Sequence, residues 1–136
     1  MVETRMPIPA IVVVEDEPDI LLILRRVLRD LETELDIVAV SSGEAAIAYA
    51  SQQPCPLLIT DYRLGGMNGL QLAKTFKRRF DSHTIMISAY FTPTLRNAVL
   101  AEGIDFALSK PFSVDDLEDA IRSILSRPRD QTWTLL

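Results

Sequence analysis

Leu57-Leu58-Ile59-Thr60-Asp61-Tyr62-Arg63-Leu64-Gly65-Gly66-Met67-Asn68-Gly69 is an apolar run that ends in an acid, passes through a glycine-rich turn and opens a segment with Leu70, Leu72, Ala73 and Phe76 at helical spacing. A short unbroken apolar run between turn signals is the mark of a strand buried on both faces, and the spacing after it is that of an amphipathic helix. Working outward, the same unit recurs. Ile11-Val12-Val13-Val14 ends in Glu15 and Asp16, Ile85-Met86-Ile87 ends in Ser88, and Phe106-Ala107-Leu108-Ser109 ends in Lys110.

The first strand is expected at about 10 to 14. Pro18 then opens a helix with acidic Glu17 and Asp19 at its positive end and Ile20, Leu21, Leu24, Val27, Leu28 and Leu31 on one side. Ile37-Val38-Ala39-Val40 and Ser41-Ser42-Gly43 lead into an alanine-rich helix ending near Gln52, stopped by Pro54 and Pro56. The third strand is expected at 57 to 60 and the fourth at 84 to 87. A helix then runs from about Pro93 to Ala101, capped by Gly103. A fifth strand, Ile104 to Leu108, and a helix from about Val114 to Leu125 complete the series. Five strand-helix units with short connections close as a parallel sheet with helices on both faces, because each crossover is right-handed. The strand order 2-1-3-4-5 makes strands 1 and 3 neighbours at the switch point, so Glu15, Asp16 and Asp61 share one crevice at the carboxyl edge, with Ser88 and Lys110 on the same rim.

A chain of 136 residues suits one domain with a real core. Nineteen acids against fourteen bases, net charge −5, argue against a nucleic-acid surface, and the basic run Lys77-Arg78-Arg79 reads as a solvated helix end. No run approaches the ~20 apolar residues that span a bilayer, and the first nine residues lack a long apolar core, so a cytoplasmic protein is expected. Cys55 is the single cysteine, which excludes an internal disulfide, and it reads as structural. His83, the single histidine, lies in the polar connection Asp81-Ser82-His83-Thr84 and reads as a surface loop residue far from any zinc partner.

Carboxylates crowded at one sheet edge repel each other and call for a cation. All-oxygen ligands of high charge suit a hard divalent ion, and a few carboxylates, a main-chain carbonyl and waters are the usual set for Mg²⁺. Lys110 adds a second positive charge and Ser88 a hydroxyl donor, so an oxygen of Asp61 can attack phosphorus and become an acyl phosphate.

Val13-Val14-Glu15-Asp16-Glu17-Pro18, Ile59 to Gly69, Ile87-Ser88-Ala89 and Lys110-Pro111-Phe112 together resemble the hallmark segments of the receiver domain of two-component response regulators. The resemblance covers residues 10–126, leaving 1–9 and 127–136 as terminal extensions. It implies a flavodoxin-like three-layer α/β sandwich. It also implies that Asp61 is the phosphoacceptor, Asp16 a direct magnesium ligand, Glu15 a ligand through water and the Arg63 main-chain carbonyl a third protein ligand. Ser88 resembles the switch hydroxyl, Lys110 its partner, and Pro111 the proline reached through a cis bond. The implied cofactor is Mg²⁺, and the implied donor is a sensor histidine kinase or phosphotransfer protein. Such a domain is no enzyme beyond its own phosphorylation and dephosphorylation.

Two departures stand out. Gly65 replaces the family's usual proline, and Ala107 replaces the aromatic three residues before the lysine. Phe106 is adjacent but on the opposite face of a strand. The readout face is expected at helix 4, strand 5 and helix 5, with Tyr90, Phe91 and Leu95 as candidate contacts there and Tyr90 a candidate shield of the acyl phosphate. The output is a downstream protein, an effector domain outside the chain or a phosphorylation-dependent homodimer, with no direct contact to nucleic acid or membrane. The short tail with Trp133, Leu135 and Leu136 favours a stand-alone receiver over a segment of a larger regulator. Two other classes are an aspartyl-phosphate phosphohydrolase, which would carry its Asp-x-Asp on the first strand, and a docking module indifferent to phosphorylation. An FMN carrier is disfavoured, since no hydroxyl-rich loop follows strand 1.

Overall fold

Valine and isoleucine in unbroken runs favour extended backbone and need cover on both faces. The computed structural model describes residues 9–126 apart from 16 and 34. Among them five strands, β1 (Ala10–Val14), β2 (Asp36–Val40), β3 (Leu57–Asp61), β4 (His83–Ser88) and β5 (Phe106–Ser109), form one sheet in the order β2-β1-β3-β4-β5. Every pairing is parallel, and the register sets Val14 beside Thr60, Asp61 beside Ile87 and Ser88 beside Ser109. The strands therefore end almost level. The chain is an α/β protein of the flavodoxin-like type.

Alternation along each strand divides the core in two. Ile11, Val13, Leu57, Ile59, Ile85 and Ile87 face α1 (Pro18–Asp30) and α5 (Val114–Leu125), which contribute Leu24, Val27, Leu117 and Ile121. Val12, Val14, Leu58 and Met86 face α2 (Gly43–Ala50), α3 (Gly69–Phe80) and α4 (Pro93–Ala101), meeting Ala46, Leu72, Phe76 and Val99. Each of these buried Val, Leu, Ile, Phe or Met side chains contributes about 1.5–3 kcal/mol over its exposed state. Two packed layers of this kind make the sheet a rigid base for the loops at its carboxyl edge. Ala107 is buried on the second face while Phe106 packs on the first.

Several boundaries differ from the sequence expectation, each for a hydrogen-bonding reason. α2 stops at Ala50, with Ser51 as its cap and Gln52 already turned back by a bond from its N–H to the Tyr49 carbonyl. Ile104 belongs to the helix end, not to β5: Gly103 adopts φ +97 and the Ile104 N–H reaches the Val99 carbonyl at 3.4 Å. His83 is no surface loop residue. Its N–H donates to the Pro56 carbonyl at 2.9 Å, which starts β4 one residue early, and its Nδ1 lies 3.2 Å from Asp105 Oδ1. Its Nε2 is buried without a hydrogen-bond partner among the described residues.

Cys55 is structural, as expected. It is buried, and burial pushes its thiol up to about 11, against the partly offsetting hydrogen bonds around it. The raised value means the folded state prefers the neutral thiol, a preference fully present below the ordinary value of 9.0 and lost as pH rises through about 11. At about pH 8 a thiol-specific disulfide reagent should label native Cys55 at least ~100-fold more slowly than the denatured chain. Equal rates would contradict its burial.

Candidate functional site

The strand ends deliver their polar residues to one rim because the register is level. Asp61 closes β3, Glu15 follows β1, Ser88 closes β4, and Lys110 follows β5. The Lys110 N–H donates to the Ser88 carbonyl at 2.9 Å, so β4 and β5 hold these two residues side by side. The Lys110–Pro111 peptide is cis. The lysine side chain runs back across the rim, where its Nζ donates to Asp61 Oδ2 at 3.0 Å, Glu15 Oε2 at 3.0 Å and Glu17 Oε1 at 3.2 Å. Burial alone pulls the ammonium down, but the hydrogen bonds from Asp61, Glu15 and Glu17 and the charge of Asp61 outweigh it and hold Lys110 well above the usual lysine range.

Glu17 is a member of this cluster that sequence reading placed only at the positive end of α1. It stands at the N-cap position of α1 but makes no side-chain capping bond, so its carboxylate is available to the lysine. No local signal marks it in the sequence, because an acid directly before a first-turn proline is already accounted for by the helix end. Glu15 Oε1 accepts the Glu17 N–H at 3.2 Å, which fixes the turn between β1 and α1. Asp16 lies outside the described residues.

The other oxygen of the Asp61 carboxylate, Oδ1, accepts the Arg63 N–H at 3.1 Å. Beyond it the loop returns to α3 through a capping box of Asn68 and Gln71, and the Gly69 N–H donates to the Tyr62 carbonyl at 2.8 Å. Arg63 turns its guanidinium over the Tyr90 ring, 4.6 Å from the centroid. Ser88 is fully buried, and its Oγ accepts the Tyr90 N–H at 3.0 Å. Tyr90 is 63% exposed, whereas Phe91 and Leu95 pack against the core cluster beneath α4.

A polar hollow of about 140 Å³ opens beside Asp61, lined by Glu15, Ser41, Arg63, Leu64 and Gly65 among others. Among the described residues no three acids, histidines or cysteines surround a common point as a metal cage; the carboxylates converge on Lys110 instead. Glu15, Glu17 and Asp61 carry three negative charges against the one positive charge of Lys110, which leaves two uncompensated. That surplus, and a donor set made only of oxygen, fit a hard divalent cation such as Mg²⁺.

Comparison with known proteins bears on the family and the fold. The pattern of the response regulator receiver domain matches residues 11–122. The chain belongs to the response regulator receiver family. This receiver is 34% identical over 116 residues to the heme response regulator HssR of Staphylococcus aureus (strain JH9), a match covering 85% of the chain and 50% of that protein. The chain thus spans about half the length of the curated relatives it matches. Among solved structures, a response regulator from Chloroflexus aurantiacus J-10-fl, described as putative, is similar at 25% identity and a TM-score of 0.74. That match covers 89% of this receiver and 99% of that chain. A response regulator from Thermotoga maritima, 21% identical, shares the fold with a TM-score of 0.76 over 88% of this receiver and 98% of that chain.

Proposed function

We propose that residues 10–126 form a phosphorylation-dependent switch in which Asp61 accepts a phosphoryl group from a histidine kinase or phosphotransfer protein. The observation that carries this reading is the placement of Asp61. One of its oxygens is held by Lys110 and the other by the Arg63 N–H, while its side chain remains 23% exposed against 4% for Glu15. Of the two carboxylates at the strand ends that share the lysine, Asp61 is the one a donor can reach. Its oxygen attacks phosphorus in line as the donor's bond to phosphorus breaks, giving an acyl phosphate.

Lys110 is positioned to meet the charge that develops on the transferring group, and it stays an ammonium throughout. Glu15, Asp16, Asp61 and the Arg63 main-chain carbonyl would hold Mg²⁺, which when bound supplies the charge neutralisation that lets an anionic phosphoryl group approach these acids. The phosphoryl group adds a charge of about −1.5 to −2 to Asp61. Ser88 then releases the Tyr90 N–H and turns its hydroxyl toward the new oxygens, and Lys110 shifts its bonds to them. Because the Lys110 N–H is bonded to the Ser88 carbonyl, both movements reach β5 together. The affected face comprises α4, β5 and α5. Alanine at 107 has no ring whose movement could report the change, so main-chain shifts of β5 carry it to a downstream protein, an effector domain or a second copy of the receiver.

The setting we propose is the cytoplasm; among the described residues no helix is long and apolar enough to cross a membrane. Incubation with a small phosphodonor and Mg²⁺, read by intact mass, tests the proposal. The wild type is expected to gain one phosphoryl group and Asp61→Asn none; equal labelling of both would refute it. Multiple turnovers of a phosphomonoester would instead mark a phosphohydrolase.

A further inference from the structure

We propose that residues 127–136 fold back along α5 and seat Trp133 in the groove between α4 and α5, covering the readout face until Asp61 is phosphorylated. The cover stands on the groove and the sequence; its release rests on Asp61 being the phosphoacceptor. β5 is an edge strand, and on the side it shares with α5 its Phe106 and Leu108 are only half-buried. With Pro111, Phe112 and Ala120 they floor a groove of about 470 Å³. Arg96 of α4 stands on one wall and Asp116 and Asp119 of α5 on the other, all three exposed. An apolar floor between charged walls calls for an occupant with an apolar part and charges of the opposite sign at its rim.

The chain carries such a segment beside the groove. Ser123 lines the groove near the end of α5, and Ser126 caps that helix. Beyond it, outside the described residues, the sequence runs Arg127-Pro128-Arg129-Asp130-Gln131-Thr132-Trp133-Thr134-Leu135-Leu136. Pro128 cannot continue α5 and biases Arg127 to extended backbone, so the chain leaves the helix axis there. The seven residues from Ser126 to Trp133 span up to about 23 Å, while α5 from Ser123 back to Asp116 is about 10 Å long. Trp133 therefore reaches any part of the groove, and charge decides which hollow it takes. The segment offers Arg127 and Arg129 to Asp116 and Asp119, and Asp130 to Arg96. A second hollow at the amino edge of the sheet sets Arg25 and Arg29 against the single acid Asp36, and its net positive charge repels the same two arginines. Trp133, Leu135 and Leu136 then lose water on the apolar floor. Because that floor is β5, the strand shift that follows phosphorylation disturbs the seat and uncovers the face.

Trp133 is the single tryptophan, so its fluorescence in the full chain reads the seat directly. In the unphosphorylated protein its emission should lie at shorter wavelength than in urea, and acrylamide should quench it several-fold less, at every protein concentration. Asp119→Lys should move the seated-to-free ratio toward free about two- to fivefold, whereas Arg25→Glu should leave it unchanged. A small phosphodonor with Mg²⁺ should release Trp133 in the wild type and not in Asp61→Asn. Quenching in the native chain equal to that in urea, protection that Asp119→Lys leaves intact, protection lost on dilution as a second copy's tail would be, or protection that persists once Asp61 carries the phosphoryl group would each overturn the cover. If Trp133 is protected but intact mass shows no phosphoryl gain at Asp61, the acceptor assignment fails and takes only the release with it, leaving the seat in place.

Discussion

Lys110→Met should slow phosphorylation of Asp61 by small donors about 100-fold, the loss that follows removal of one preorganised charge from a transferring group, and should at the same time tighten Mg²⁺ binding. The two effects have opposite signs because the lysine does two things. In the resting protein it is the cation that Glu15, Glu17 and Asp61 share, and it competes with any metal for them. Deleting its charge changes the local balance from two uncompensated negatives to three, and one more charge a few ångströms away strengthens cation binding on the order of tenfold. Methionine keeps the apolar stem, so the change is one of charge more than of packing. Metal-free, the variant should melt below the wild type, and added Mg²⁺ should close much of the gap. The lysine's folded value lies above its ordinary 10.5, so its stabilising contribution is complete below that pH and declines only above it. The wild type and variant should therefore differ by a constant amount across neutral pH. A variant that binds Mg²⁺ no more tightly would show that the ammonium does not hold the acidic cluster together.

The rim was legible in the sequence because a buried strand carries no charged side chain until it leaves the sheet, so the first charged residue at the end of β1, β3 and β5, and the hydroxyl that ends β4, mark the edge. Glu15, Asp61, Ser88 and Lys110 were all readable in that way, and the level register brought them together. Glu17 was not readable, since its bond is to a lysine 93 residues away and its position before Pro18 has an adequate local explanation. The stacking of Arg63 on Tyr90 was hidden for the same reason: nothing in either loop alone requires it. His83 misled because Asp81-Ser82-His83-Thr84 is polar throughout, yet the Pro56 carbonyl needed a donor and drew the histidine into β4. At Ile104 a strand-like residue was claimed by the end of α4, a competition between helix termination and strand initiation that local composition does not decide.

Gly69→Ala should destabilise the receiver by about 3 kcal/mol, lowering its melting temperature by roughly 10 °C, whereas Gly65→Ala should change stability by less than about 0.5 kcal/mol. The two glycines lie in the same loop and differ in what a methyl group would meet. At Gly65 nothing lies within 4 Å, and the position is not in the left-handed region. At Gly69 the added carbon collides with the Asp61 main-chain carbonyl oxygen and comes within 3.0 Å of Tyr62 Cα and 3.1 Å of the Asp61 carbonyl carbon. All three are backbone atoms, so no side-chain rotation relieves the contact. The first turn of α3 cannot easily withdraw either, because Asn68 and Gln71 cap it and Leu72, Ala73 and Phe76 anchor it in the core. The strain falls on the end of β3, and a shift there moves the carboxylate that Lys110 and the Arg63 N–H hold in place. Phosphorylation of the folded fraction of Gly69→Ala should accordingly be slower than that of Gly65→Ala under the same donor and Mg²⁺. Equal melting temperatures for the two variants would mean that α3 does not press on the acceptor strand, and the close approach of Gly69 would then explain nothing about how Asp61 is positioned.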